Sequence, residues 1–316
     1  MNLDSPRVRY PLVTGQLWVF FINFLFIRNS SSSIHEMKSL KMKKFDLSKV
    51  EFSNNDLKLG IKVPEYLTED LAYFLGFHVG DGYMQIKRRE NKTTDYRLQY
   101  AGHHINDYLF YIYFLGPLVK KLFNKEVKVN VIGGIVTFVI RSKAIVSFLN
   151  KSCGLPPSPK KYIGVLPIIK FSNNNIKASF LRGVADTDFS LVFRKGGKYP
   201  VIIHATYSEV LHKSLGILLH DLNLYFYYYS RFCGEDKKFR TYEIYIYGRK
   251  NLQDWINCVG FYSYNHLTKY LVWKETGFLR PYTNINDRIE ILKEKGIKYS
   301  IPLLRLGSDS NRQPRG

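Results

Sequence analysis

The stretch LAYFLGFHVGDGYM (residues 71–84) and a later one, ASFLRGVADTDFSL (residues 178–191), decide how the rest of this sequence is interpreted. In each, apolar residues at helical spacing run into an acidic residue just where a strand-like pattern begins. Small residues four apart, Gly76 with Gly80 and Gly183 with Thr187, lie on one face of each helix. Glycine costs about 1 kcal/mol relative to alanine inside a helix, so the pattern predicts two helices that cross through these faces.

Such a crossing would bring Asp81 and Asp188 together at the C-terminal ends of the two helices. Two neighbouring carboxylates at negatively polarised helix ends are unfavourable unless a cation neutralises them. The oxygen ligands available are these carboxylates and the preceding carbonyl groups of Gly80 and Thr187. The sequence therefore predicts a divalent-cation site, for Mg²⁺ first and Mn²⁺ as a substitute. One copy alone would equally suit a core helix followed by a solvated aspartate.

An internal repeat organises the chain from residue 70 onward. Asp81 and Asp188 lie 107 residues apart, and so do Asn150 and Asn257 at the ends of two similar segments. The predicted strands are residues 83–88, 97–104, 127–132 and 135–141 in the first copy, and 189–194, 201–206, 224–230 and 241–247 in the second. The predicted fold class is α+β, with two pseudo-symmetric αββαββα repeats, each a four-stranded antiparallel sheet with helices on one face.

Residues 74–82 (FLGFHVGDG) and 181–189 (LRGVADTDF) resemble the nine-residue motif of the LAGLIDADG homing endonucleases. The second acidic position of that motif falls on Asp81 and Asp188. The first acidic position is kept only in the second copy, as Asp186. The resemblance implies a homing-endonuclease-like fold and a monomer that carries both motifs in one chain.

The activity implied by the resemblance, which covers residues 68–297, is site-specific cleavage of double-stranded DNA. The family hydrolyses phosphodiester bonds on both strands across the minor groove with Mg²⁺, and so promotes the mobility of an intron or intein. It also places a lysine near each active centre, where a cation stabilises the transition state. Lys161 and Lys269 match that position best, and Lys160 is the rival of Lys161. The alternatives are an RNA-binding intron maturase on the same scaffold and a catalytically decayed DNA-binding protein.

The outer faces of the two sheets are the predicted nucleic-acid contacts. The formal net charge of +21, from 47 Lys and Arg against 26 Asp and Glu, favours a polyanionic partner, here a long duplex DNA site. Arginine and lysine suit guanine edges and phosphates, and glutamine and asparagine suit adenine. The candidates are Gln85, Lys87, Arg89, Arg97, Gln99, Lys128, Asn130 and Arg141 in the first sheet, and Arg194, Lys198, His204, Arg231 and Arg240 beside Tyr227, Tyr229 and Tyr242 in the second.

The two ends of the chain differ from the repeats. Residues 1–45 contain an apolar run at 12–27 that is shorter than the ~18 to 20 residues a membrane span needs, and no cleavage-site pattern follows it. We interpret residues 1–45 as an extension outside the core, with Met37 or Met42 as alternative starts. Residues 46–170 and 171–300 are the two repeats, and 301–316 a disordered tail. We expect no membrane partner, and a cytoplasmic or organellar-matrix location that also suits the three scattered cysteines.

Overall fold

The computed structural model describes residues 43–88, 94–160, 162–233 and 239–296. The predictions for the apolar run, for Arg89, for Lys161 and for the C-terminal tail lie outside these residues.

Two copies of the predicted element order follow one another along the described chain. After the short α1 (Asn54–Lys58), the first copy begins with α2 (Glu69–Asp81), β1 (Tyr83–Arg88) and β2 (Thr94–His103). Its middle helix consists of α3 (Tyr108–Phe110), a π-helical turn (Tyr111–Leu115) and α4 (Gly116–Phe123). The copy ends with β3 (Asn130–Ile132), β4 (Ile135–Arg141) and α5 (Lys143–Ser147), and a second π-helical turn (Phe148–Ser152) continues α5. After α6 (Pro167–Lys170), the second copy comprises α7 (Asn174–Asp188), β5 (Phe189–Arg194), β6 (Tyr199–Thr206), α8 (Glu209–Asp221), β7 (Tyr227–Cys233), β8 (Phe239–Tyr247) and α9 (Gly248–Cys258). Two further helices, α10 (Tyr264–Thr276) and α11 (Ile285–Glu294), follow the second copy.

The two sheets have equivalent topologies, β1-β2-β4-β3 and β5-β6-β8-β7, and each neighbouring pair is antiparallel. Side chains alternate between the faces, so that Leu98 and Ile140 pair on the buried side of the first sheet, as Ile202 and Ile246 do in the second. The prediction of two αββαββα repeats in an α+β fold is confirmed.

Two strands start later than predicted, because the end of the preceding helix extends into the predicted strand or the residues before it. The turn after α8 continues through Asn223, whose φ of 55° is left-handed, and the Leu224 amide donates to the Leu219 carbonyl at 2.9 Å. Leu224 therefore completes the helix end, and β7 starts at Tyr227 rather than at residue 224. Asn124 likewise ends α4 with a φ of 52°, and β3 starts at Asn130 rather than at residue 127.

The central feature of the fold is the packing of α2 against α7. Thr68 and Asn173 cap the two helices through bonds to the amides of Leu71 and Ile176, at 3.2 and 3.0 Å. A Cβ on Gly76 would lie 2.0 Å from the Phe180 carbonyl oxygen. The helices thus touch backbone to backbone, as the glycine spacing predicted.

The start of the described chain packs on the first repeat. Phe45 is buried, with its ring 5.1 Å from that of Phe148, and the Lys43 ammonium donates to the Ile168 carbonyl at 3.2 Å. The three cysteines are free. No helix within the described ranges combines the length and the apolar character that a membrane span requires.

We expect Gly76→Ala and Gly183→Ala each to lower the free energy of unfolding by at least about 2 kcal/mol, since the new methyl group meets backbone that cannot rotate away. For Gly183 the obstacle is the Tyr73 carbonyl, 2.1 Å from the Cβ position. Asn175→Ala, at an exposed position of α7, is the matched control and should be neutral. Urea denaturation measures the difference, and a stabilised Gly76→Ala variant would contradict this packing.

Candidate active site

The crossing of α2 and α7 brings the two motif aspartates to one place. Each is the last residue of its helix, because Gly82 and Phe189 are extended and lead directly into β1 and β5. The carboxyl carbon of Asp188 lies 3.3 Å from the position that a Cβ on Gly80 would occupy. Asp188 of the second repeat therefore lies beside the last turn of the first repeat's helix.

A lysine caps the same helix end. The Lys160 ammonium donates to the carbonyl groups of His78, Val79 and Gly80, at 2.7, 2.8 and 2.7 Å. Its loop is held against β1, since Ser158 exchanges two hydrogen bonds with the Met84 backbone at 2.9 and 3.1 Å. A cation at this end of a helix is favourable because the carbonyl groups give it partial negative charge. Of the two rival lysines, Lys160 is thus placed in the site, and Lys161 is outside the described residues.

The negative charges of Asp81 and Asp188 are only partly balanced by the positive charge in the site. Burial within the site and the nearby charge of Asp188 raise the pKa of Asp81 to about 7, although solvent still reaches the Asp81 side chain. Burial also raises the pKa of Asp188 to about 6, and Lys160 opposes both shifts. Burial lowers the pKa of Lys160 itself to about 8. One ammonium group therefore faces two carboxylates that are only partly ionised near neutral pH.

A pocket beside Asp81 contains two further carboxylates, of Asp107 and Asp186, and a second lysine. Asp107 and Lys269 line it together with Asp81 and Thr187. Asp107 accepts the His103 amide at 2.8 Å, and burial is the main cause that raises its pKa. Burial, followed by the charge of Arg288, lowers the pKa of Lys269 to about 8. Lys269 therefore lies where the resemblance predicted a site lysine.

Asp107 was missed by the sequence analysis. It comes just before a helix, after two histidines, an isoleucine and an asparagine, which is the usual position of an N-cap residue. In the structure its side chain does not cap α3 but turns back to the His103 amide. An aspartate at this position is fully explained as a helix N-cap. The sequence therefore contained no sign that Asp107 belongs to the site.

Two other polar residues of the motifs are structural. Asp186 has a fully buried side chain that accepts the Tyr73 hydroxyl at 2.8 Å and the Tyr262 amide at 2.9 Å. It therefore joins α7 of the second repeat to α2 of the first. His78 is buried, with Nδ1 2.8 Å from the Tyr100 hydroxyl, and burial lowers its pKa to about 3. His78 is thus neutral and serves as a hydrogen-bonding core residue.

The outer face of the first sheet carries a row of polar side chains across three strands. Gln85 pairs with Arg97, and Arg97 pairs with Arg141. The Arg97 guanidinium donates to the Gln85 side-chain oxygen. Gln99, Lys87 and Asn130 lie on the same face, whereas Lys128 is exposed just before β3 begins.

The second sheet corrects three of the predicted contacts, those of His204, Arg240 and Tyr242. His204 is buried, with its ring 4.7 Å from that of Phe189, so it faces the helices. Arg240 faces the same side, over the rings of Phe232 and Tyr242, and the Tyr242 hydroxyl donates to Glu209 of α8 at 3.0 Å. All three predictions are wrong because the alternation of side chains along β6 and β8 is one residue out of phase with the assumed pattern. Arg194 and Arg231 lie on the outer face, and Lys198 in the exposed β5–β6 turn.

The residues at the helix ends fit a hard divalent cation in charge and donor type. Within the described ranges, no group of three or more His, Cys, Asp or Glu side chains could hold a metal ion. Mg²⁺ does not require such a group, because it keeps several waters and commonly takes one or two carboxylates with phosphate oxygens of a substrate. Asp81 and Asp188 would supply those carboxylates, while the Gly80 carbonyl, a predicted ligand, accepts a hydrogen bond from Lys160.

The raised pKa values predict a pH-dependent stability. In the unfolded chain both carboxyl groups have pKa values near 4, so between about pH 4 and 7 the folded protein binds more protons and loses stability as the pH rises. Without divalent ions, Asp81→Asn should stabilise the protein at about pH 8, because it removes the charge that Asp188 repels. The gain should be on the order of 1 kcal/mol, since water screens part of the repulsion, and it should be smaller at about pH 5. Urea denaturation at both pH values measures this.

Asp254→Asn, on an exposed position of α9, is the control and should show no such pH dependence. An Asp81→Asn variant that is less stable than the parent at about pH 8 would show that Asp81 is stabilised, not strained, by its surroundings.

No protein-family profile and no curated protein matches this sequence. Solved structures with a similar fold include the homing endonuclease I-DmoI in complex with DNA and Mn, with 14% sequence identity, a TM-score of 0.43, and coverage of 61% of this chain and 96% of that chain. The LAGLIDADG homing endonuclease I-LtrWI bound to target DNA has 12% identity and a TM-score of 0.42, with coverage of 78% and 98%. The meganuclease I-SmaMI bound to uncleaveable DNA has 12% identity and a TM-score of 0.40, with coverage of 71% and 96%. These matches include homing endonucleases, and I-LtrWI carries the name of the family that the two motifs resemble.

Proposed function

We propose that this protein is a monomeric, site-specific endonuclease that hydrolyses both strands of a DNA duplex with the help of Mg²⁺. The observation that carries the proposal is the convergence of Asp81 and Asp188, one from each repeat, at the ends of two crossing helices. A duplex has two backbones related by approximate two-fold symmetry. Each pseudo-symmetric repeat contributes one carboxylate, so that each DNA strand would have one carboxylate ligand for the cation that acts on it.

The chain's own residues have separate tasks in this proposal. Asp81 and Asp188 would hold a divalent cation, which when bound activates water for attack on phosphorus and neutralises phosphate charge. Lys160 on one side and Lys269 on the other present ammonium groups within a partly buried site, where a fixed cation stabilises the charge that develops on a reacting phosphate. With pKa values of about 8, both lysines stay mainly protonated at neutral pH.

The first sheet would position the duplex. Its outer row of Gln85, Arg97 and Arg141 begins directly after Asp81, so DNA lying along this face passes the helix ends. A two-stranded ribbon fits the major groove, where arginine reads guanine and glutamine reads adenine. Lysines at the margins, such as Lys87 and Lys128, would contact phosphates and add affinity without sequence information.

The aspartates provide the first test. Asp81→Asn and Asp188→Asn should each lower double-strand cleavage by at least about 100-fold, because each removes a charged ligand, while DNA affinity stays within a few-fold. The substrate is a duplex spanning the uninterrupted insertion site of the protein's own gene, incubated with Mg²⁺. Asp254→Asn is the matched control. Undiminished cleavage by the Asp81→Asn/Asp188→Asn double variant would remove the proposed function.

The two rival lysines provide the second test. Lys160→Met should lower the cleavage rate by about 100-fold, as expected for the loss of a preorganised charge-stabilising donor, with little change in DNA affinity. Lys161→Met should retain most of the activity. The two variants differ by one position and remove the same charge, so each is the control of the other. Loss of activity in Lys161→Met alone would assign the role to Lys161.

A further inference from the structure

The outer faces of the two sheets differ in chemistry although their topologies are the same. The first presents arginines and glutamines, as described above. The second presents five tyrosines, which we call the tyrosine face: Tyr199, Tyr227, Tyr229, Tyr245 and Tyr247. Strand pairing places them on one side, because Tyr227 lies opposite Tyr245, Val201 opposite Tyr247, and Arg194 opposite Tyr199.

Four of the five rings of the tyrosine face, all except that of Tyr199, form a continuous array. Tyr245 and Tyr247 stack, with centroids 5.4 Å apart and planes 12° apart. Tyr227 packs edge-on against Tyr247 at 5.5 Å, and Tyr229 against Tyr245 at 5.2 Å. Both Tyr227 and Tyr229 stand on the edge strand β7 and keep 41% and 48% of their surface exposed.

The main core of the second repeat lies on the other side of the sheet from these rings. The opposite side of the same sheet supplies that core, through Phe189 against Trp255 of α9 at 5.5 Å and His212 of α8 against Tyr228 at 4.3 Å. A group of contiguous aromatic rings that stays partly exposed on a sheet face is typical of an interaction site.

The charges around the tyrosine face suit an anionic partner. The Arg194 guanidinium lies over the Tyr245 ring at 5.6 Å, and the Lys195 ammonium over the Tyr199 ring at 5.0 Å. Glu243, in the middle of the face, is buried and neutralised by Arg231 at 2.8 Å. Aromatic rings with cations beside them and a compensated acid favour a phosphate-bearing strand over a purely apolar partner.

We infer that the tyrosine face binds unpaired nucleobases of a single-stranded nucleic acid by stacking. The flat faces of bases are covered by neighbouring base pairs in a duplex and become available only when a strand is single. Duplex edges are instead read by hydrogen-bonding side chains, such as those of the first sheet. Tyr227 and Tyr229 lie two residues apart on one strand, about 7 Å, so that successive bases of one extended strand can stack on them. This inference goes beyond the proposed cleavage of duplex DNA.

The test compares two double variants that differ only in the ring. Tyr227→Leu/Tyr229→Leu removes both stacking surfaces, while Tyr227→Phe/Tyr229→Phe keeps them and removes the hydroxyl groups. Fluorescence anisotropy with labelled oligouridine RNA, oligothymidine DNA and a DNA duplex, all at one salt concentration, gives the affinities. We expect the leucine variant to bind both single strands at least about 10-fold more weakly, and the phenylalanine variant to bind them as the parent does. Duplex affinity should fall by a clearly smaller factor than single-strand affinity in the leucine variant, because a duplex does not expose base faces for stacking.

Three results would overturn the inference: no binding of single strands by the parent, equal losses in the leucine and phenylalanine variants, or a loss of duplex affinity as large as the loss of single-strand affinity. Stronger binding of the RNA or of the DNA strand identifies the source of the bases, and both outcomes support stacking. Circular dichroism checks the fold, and single Tyr229→Leu and Tyr229→Phe variants repeat the comparison if the double leucine variant does not fold. A parent protein that binds single strands but never cleaves a duplex would remove the proposed function and leave this inference in place.

Discussion

The direct contact between the backbones of α2 and α7 is the constraint on which the rest of the structure depends. Gly76 and Gly183 each face a carbonyl group of the other helix at a distance that leaves no room for a side chain. Each helix then passes into the first strand of its own sheet without a loop. The spacing of the helices therefore sets the separation of the two aspartates and the starting points of both sheets, so that the site and the binding surfaces are fixed together.

The same contact creates an electrostatic cost. Asp81 and Asp188 are held at helix ends that already carry partial negative charge, and Lys160 offsets only part of it. Among the motif residues nearby, Asp186 accepts the Tyr73 hydroxyl and His78 Nδ1 lies beside the Tyr100 hydroxyl, whereas the buried Nε2 of His78 has no hydrogen-bond partner. Local strain of this kind at an otherwise consistent fold is typical of functional sites, where stability is given up for a ligand.

The fold could be predicted from the sequence because its signals are local and repeated. Helical apolar spacing, the paired small residues and the two-residue alternation of the strands each point to the same topology. The site was harder, because its details depend on phase and on nonlocal contacts. A shift of one residue in the alternation moved His204 and Arg240 to the helix-facing side. Asp107 has the sequence position of an ordinary cap, and only the tertiary structure turns it toward Asp81 and Lys269.

The hydrogen bond between Tyr73 and Asp186 makes the contact between the two halves of the chain asymmetric. At the 107-residue shift that relates the repeats, Tyr73 corresponds to Phe180 and Asp186 to Val79. A pair made of two first halves would bury two tyrosine hydroxyls against valine, and a pair of two second halves would set two aspartates against phenylalanine. Each arrangement would lose this hydrogen bond at two places. A buried polar group left without its partner costs about 1 to 3 kcal/mol. The two halves are therefore complementary at this contact, and a homodimer of either half would lack the Tyr73–Asp186 hydrogen bond.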